Sequence, residues 1–88
     1  MRLRRHKVFV KDIKKARLAD SQFEKFIYYI NILREEGVLP IEARDHALLG
    51  EYHDCREFHL GGDMLIIYLV TADEVTLLRI GTHSQLFK

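Results

Sequence analysis

The chain is predicted to be an α+β domain: a short amino-terminal strand, two helices, and then an antiparallel β-meander packed against those helices. Two observations lead there. Apolar residues recur at helical spacing in the first half, while the second half alternates or runs continuously apolar over strand-length stretches. The connections between those stretches are also very short, which joins neighbours antiparallel and leaves no room for crossovers.

Taken in order, residues 2–5 fit a short strand, although the pattern there is weak. Phe9, Ile13 and Ala16 then fall on one face of a short helix. The stronger helix is "DSQFEKFIYYINILREEG", residues 20–37. Ser21 and Glu24 fit a capping box at its start. Phe23, Phe26, Ile27, Ile30 and Leu33 form its apolar stripe, and Gly37 followed by Pro40 ends it. "CREFHL" alternates, with Phe58 and Leu60 on one side and Glu57 and His59 on the other. Gly61 and Gly62 form a tight turn. "MLIIYLVT" is apolar on both faces, as a central strand would be. "TADE" turns the chain into the last strand, "VTLLRIG". Strand parity groups Val75, Leu77 and Arg79. If the first two face the helices, Arg79 lies at the edge of that face; otherwise it lies on the open face.

The 88 residues suit one domain, 1–88, with one modest core. The longest apolar run, Met64 to Val70, is far shorter than the ~20 residues a membrane helix needs. No apolar stretch follows the basic start, so no export signal is expected. The single cysteine, Cys55, cannot form an internal disulfide. A cytoplasmic location follows as the default. The net charge of +1 hides an asymmetry: residues 1–17 carry +7, the remainder −6. Such an end suits an acidic or phosphate-bearing partner, or simply a solvated helix face.

Three of the five histidines stand in polar settings: His46 in "DHALLG", His59 in "REFHLGGD" and His83 in "RIGTHSQLF". There is no HExxH, CxxC, phosphate-binding glycine loop or serine elbow. Asp54 and Glu57 would raise the Cys55 thiol pKa and disfavour it as a nucleophile. Two chemistries fit the rest. His46, His59, Asp63 and His83 suit a transition metal. Equally, imidazoles suit general acid–base work at neutral pH, as in RNA strand cleavage, with Arg56 and Arg79 balancing phosphate charge.

These three motifs, together with "KDIKK" in the basic segment and the order of elements, resemble the YafQ-like branch of RelE-type toxins from bacterial type II toxin–antitoxin modules. The resemblance covers nearly the whole chain. It implies a RelE-like fold and a metal-independent endoribonuclease without cofactor that cuts mRNA, typically on the translating ribosome. It also implies a cognate antitoxin as partner, no membrane, and no DNA contact except through the antitoxin complex. By motif, His46, His59, Asp63 and His83 match catalytic positions. Arg56 and Arg79 match phosphate-binding positions, and Phe87 a platform on which a base can stack. His83 would act as general acid or base, with His46, His59 and Asp63 sharing the remaining proton transfers and orientation. Met64 stands where some relatives carry tryptophan. Each residue alone also fits a structural role: His59 a strand end, Asp63 a turn residue, Phe87 a plug for the terminus. His6 and His53 match no motif and read as surface residues. A catalytically inert binding module and a small metal-binding protein are the competing functions.

Overall fold

A computed structural model describes residues 1–87. Strand β1 (Arg2–Arg5) leads into helix α1 (Lys7–Lys15) and helix α2 (Asp20–Arg34). A 3-10 turn, Ile41–Ala43, precedes the short strand β2 (His46–Ala47), and a second, Gly50–Tyr52, follows it. Strands β3 (Arg56–Gly61), β4 (Met64–Val70) and β5 (Glu74–Thr82) come next, then a four-residue helix α3 (His83–Leu86). The sheet order is β1-β5-β4-β3-β2. The meander is antiparallel as expected, but β1 joins β5 in parallel, so the sheet is mixed. His46 lies on the edge strand β2, paired with Glu57.

α1 and α2 pack on one sheet face. Phe9, Tyr29 and Ile30 meet Phe58, Leu60, Ile66, Tyr68, Val75, Leu77 and Ile80 there. Phe58 sits edge-on to Tyr29 and tilted against Tyr68, with centroids 5.6 and 5.5 Å away. The opposite face is covered too. Cys55, Leu65, Ile67 and Leu86 are buried there beneath Leu48, Tyr52 and Phe87. The doubly apolar β4 is thereby satisfied on both sides.

Several local readings change. α2 starts earlier than the Ser21 box: its N-cap is Ala19, and the Gln22 side chain accepts from the Ala19 N–H at 2.9 Å. Gln22 also donates to the Gly61 carbonyl at 2.9 Å, which ties the helix start to the β3–β4 turn. Phe23 and Ile27 are about half exposed (54% and 46%), because the apolar arc of α2 is wider than the face it can bury. Glu36, with φ of 60°, takes the left-handed position at the helix end that a glycine usually fills. His6 is the N-cap of α1 instead of a surface residue: its Nδ1 accepts from the Val8 N–H at 3.1 Å.

The largest change is in β5. Ile67 pairs with Arg79 while Tyr68 pairs with Leu77, so Leu78 is an extra residue in the strand. This bulge inverts the alternation. Val75 and Leu77 face the helices, Leu78 packs with the second cluster, and Arg79 shares the side of Ile67.

Candidate active site

The sheet face away from α1 and α2 gathers the imidazoles. Opposed residues in an antiparallel pair share a face, so the His46–Glu57 pairing puts both on one side. His59, two residues along β3, joins them. Glu57 is buried, 4% exposed. Its carboxylate oxygen Oε2 lies 3.0 Å from His59 Nε2 and 3.2 Å from His46 Nε2. The two rings stack at 6.1 Å with planes 25° apart. Arg44, left-handed at φ 48°, brings both ends of itself to this cluster. Its guanidinium lies 3.1 Å from His59 Nδ1, and its carbonyl lies 2.7 Å from His46 Nδ1.

Donor and acceptor chemistry assigns the protons. A guanidinium only donates, so His59 Nδ1 accepts and its Nε2–H donates to Glu57. For His46 both partners, a carbonyl and a carboxylate, are acceptors. Burial, and next the adjacent Arg44 charge, push the His59 pKa below its ordinary value, outweighing the opposite pull of Glu57. The fold therefore prefers neutral His59. Stability from this group is present above its unfolded value of about 6.5 and is lost as pH falls through the lower folded value. We expect His59→Asn to lose less melting temperature than the native chain between about pH 8 and about pH 5. Equal slopes in thermal unfolding would contradict the assignment.

Arg56 does not join this face. It points to the helix side with its partner Tyr68, and its guanidinium holds Asp45 at 3.2–3.3 Å. Asp45 also accepts from the Tyr68 hydroxyl. Burial, and next this bond, push the Tyr68 phenol pKa upward. The arrangement pins the chain immediately before His46. Asp63 is exposed in the β3–β4 turn. Cys55 is buried, and burial followed by Asp54 raises its thiol pKa.

Arg79 is brought to the imidazole face. Glu57, Ile67 and Arg79 form one cross-strand row, and His59, Leu65 and Gly81 form the next. Arg79 and Glu57 are thus two strand spacings apart, roughly 10 Å. Gly81 leaves room for α3: a side chain here would meet Gln85 Oε1 at 2.9 Å and Leu86 at 3.2 Å. Its role is to seat α3 against β5. Thr82 and Gln85 form a reciprocal capping box, with Thr82 N–H donating to Gln85 Oε1 at 2.8 Å and Gln85 N–H to Thr82 Oγ1 at 3.3 Å. The T-x-x-Q spacing is a readable signal for this helix start. α3 presents His83, exposed, and Phe87, half-buried. Their rings lie 4.9 Å apart, and Phe87 meets Tyr52 edge-on at 5.9 Å. His83 follows Thr82, which pairs with Met64, so it stands at the Gly61–Met64 end of the sheet.

Two imidazoles and a carboxylate can also bind a metal. Ligand atoms of His46, Glu57 and His59 lie within 4.8 Å of one another, a set that suits a first-row transition ion. Glu57 supplies the carboxylate of that set, and among the described residues neither Asp63 nor His83 belongs to it. A metal there would compete with the protons on the ring nitrogens.

The family model for the bacterial toxin YafQ of type II toxin–antitoxin systems matches residues 1–88. The mRNA interferase toxin YafQ of Escherichia coli K12 is 31% identical over 80 residues, 90% of this chain and 87% of that protein. A Haemophilus influenzae protein named as a putative toxin YafQ is 37% identical over 65 residues, which cover 69% of this chain and 64% of the relative. Among solved structures, a copper-bound mutant toxin from Helicobacter pylori superposes with a TM-score of 0.84 at 38% identity, covering 98% of both chains. A chain from the E. coli DinJ–YafQ complex superposes with a TM-score of 0.84 at 30% identity, covering all of both. From its first residue to its last, therefore, this chain belongs to the YafQ family of type II toxin–antitoxin toxins.

Proposed function

We propose that the chain is an endoribonuclease, an mRNA interferase that halts translation, and that a cognate antitoxin holds it in check. The E. coli relative is named as an mRNA interferase toxin, and a YafQ chain is found in complex with DinJ. The observation that carries the chemistry is the buried Glu57 carboxylate shared by His46 and His59, on the sheet face that also bears Arg79 and α3.

RNA cleavage needs a base at the 2′-hydroxyl, positive charge on the crowded phosphorane, and an acid at the departing 5′-oxygen. Neutral His59, with Nε2–H on Glu57, holds a lone pair on Nδ1 that Arg44 occupies in the free protein. Once Arg44 turns to phosphate, that nitrogen can accept a proton. His46, facing the Arg44 carbonyl and the Glu57 carboxylate, suits the proton-giving or orienting part. Among the described residues no carboxylate anchors the His83 imidazole, and it meets the reacting phosphate from α3. Asp63 orients the substrate from the turn. Phe87, supported edge-on by Tyr52, stacks on a base. Arg79 balances phosphate charge, and Arg56, held by Asp45, contributes at the margin or through the position of His46. The reaction is general acid–base chemistry without a metal.

The antitoxin covers the basic segment and the cleft, because Arg2, Arg4, Arg5, Lys7, Lys11, Lys14, Lys15 and Arg17 offer it complementary charge. No helix among the described residues is long and apolar enough to cross a membrane. An enzyme acting on translated message would work in the cytoplasm.

The test is cleavage of a transcript in a bacterial translation reaction, with and without ribosomes and with a chelator that removes transition metals but spares the Mg²⁺ the ribosome needs. Cutting of the translated transcript that survives chelator is expected. Folded protein that binds an antitoxin but cuts nothing would favour the inert module, and activity abolished by chelator would favour a metal enzyme.

A further inference from the structure

We propose that Asp12 is a positioning residue which, together with Tyr52, aims the Arg79 guanidinium at the substrate phosphate. The inference rests on the reading of Arg79 as the phosphate-balancing cation.

Residues 1–17 contain eight basic side chains and one acid, Asp12. A segment serving only as a cationic surface has no use for that acid. β1 stops opposite Leu77, where the His6 N–H donates to the Leu77 carbonyl at 2.8 Å. Beyond that point α1 lies along β5 in place of a strand, and Asp12 receives what a strand would have received. Its Oδ2 accepts from the Ile80 N–H at 3.2 Å. The same oxygen accepts from Arg79 Nε at 2.7 Å, and Oδ1 accepts from Arg79 Nη2 at 3.3 Å. Both side chains are mostly covered, 27% exposed for Arg79 and 16% for Asp12. On its remaining nitrogen Arg79 reaches the Tyr52 hydroxyl at 3.5 Å.

A guanidinium has five N–H groups in a rigid plane. Among the described residues three are directed at Asp12 and Tyr52, which leaves two. Arg79 forms a wall shared by two clefts. One, about 420 Å³, also holds Lys15, Arg17, Gly81 and Thr82. The other, about 570 Å³, holds Leu49, Tyr52 and Phe87. The guanidinium is therefore held in one orientation between a groove that also carries Lys15 and Arg17 and a cleft that carries Glu51 and Phe87. Held in advance, such donors need no rearrangement as charge develops on phosphate, which is where electrostatic catalysis gains most. The charge of Asp12 does not cancel this role, because the carboxylate occupies the Nε and Nη2 edge and leaves the far edge of the fork open.

The experiment measures kcat and KM for cleavage of translated message with Asp12→Asn, Arg79→Ala and the double variant. Thermal unfolding and antitoxin binding control for folding. Asparagine keeps an acceptor for the Ile80 N–H but removes the charge and half of the fork. We expect Asp12→Asn to lower kcat about 10- to 100-fold, the range for a slight misplacement of a catalytic group, with KM little changed. In the Arg79→Ala background it should cost nothing more, since no guanidinium remains to be aimed. Arg79→Ala with native kcat would refute the reading of Arg79 itself. Arg79→Ala slow and Asp12→Asn native would refute the positioning role alone. An equal loss from Asp12→Asn in both backgrounds would make Asp12 purely structural and overturn the inference. If Asp12→Asn does not fold, Arg79→Lys decides, because lysine keeps the charge but cannot be held as a fork. A slow Arg79→Lys supports the inference, and a native rate overturns it.

Discussion

His83→Ala should lose about 10²–10⁴-fold in cleavage of translated message, the usual contribution of a general acid–base group. Its fold and antitoxin binding should remain nearly native. The side chain is exposed at the start of α3, and α3 itself is held by the Thr82–Gln85 box and by Leu86 in the second core cluster. Removing the imidazole therefore removes chemistry with little packing: Phe87 gives up its tilted ring neighbour at 4.9 Å but keeps Tyr52. His53→Ala is the matched control: His53 is exposed and engages Gly50 and Asp54, away from the shared carboxylate. A well-folded His83 variant that cuts at the native rate would reduce α3 to a structural plug.

Glu57→Ala should injure both activity and stability. Two imidazoles lose their common acceptor in a site where Glu57 is only 4% exposed. Leaving a buried hydrogen-bonding group without its partner costs about 1–3 kcal/mol. Losing the orientation and charge of the pair should slow cleavage by about 10²-fold or more. Glu57→Gln separates the two effects. It keeps an acceptor for His59 Nε2–H and so should fold better than alanine, yet remain slow because the charge is gone. Melting temperature and single-turnover cleavage measured on both variants give the comparison. Native rates for both would mean that the imidazole–carboxylate cluster is a structural device.

The motifs single out seven residues, and the fold gathers them unevenly. His46 and His59 meet through Glu57, and Arg79 shares their face, while His83 and Phe87 arrive on α3. Arg56, only one residue from Glu57, lies on the opposite face, because successive strand residues alternate. Glu57 is legible as a partner of His59 on the polar side of an alternating strand. Its burial is not, because that depends on His46 and strand β2 pairing beside it. Ser21 fits a capping box, yet the helix begins at Asp20 because Gln22 finds both the Ala19 N–H and the distant Gly61 carbonyl.

Features set by near neighbours along the chain are written in the sequence itself. The period of 3.6 in α1 and α2, the two-sided apolar run of β4, the Gly61–Gly62 turn and the asymmetry of charge all depend on residues a few positions apart. The direction of Arg79 is different in kind, since it emerges only when the strands assemble. The alternation through Val75 and Leu77 holds, but a bulge at Leu78 inverts it, and that bulge exists because of how β5 registers against β4. The partner that holds Arg79 is Asp12, 67 residues away in sequence. Contacts at that separation depend on where β1 ends and α1 takes its place beside β5, and no local pattern of residues encodes that geometry.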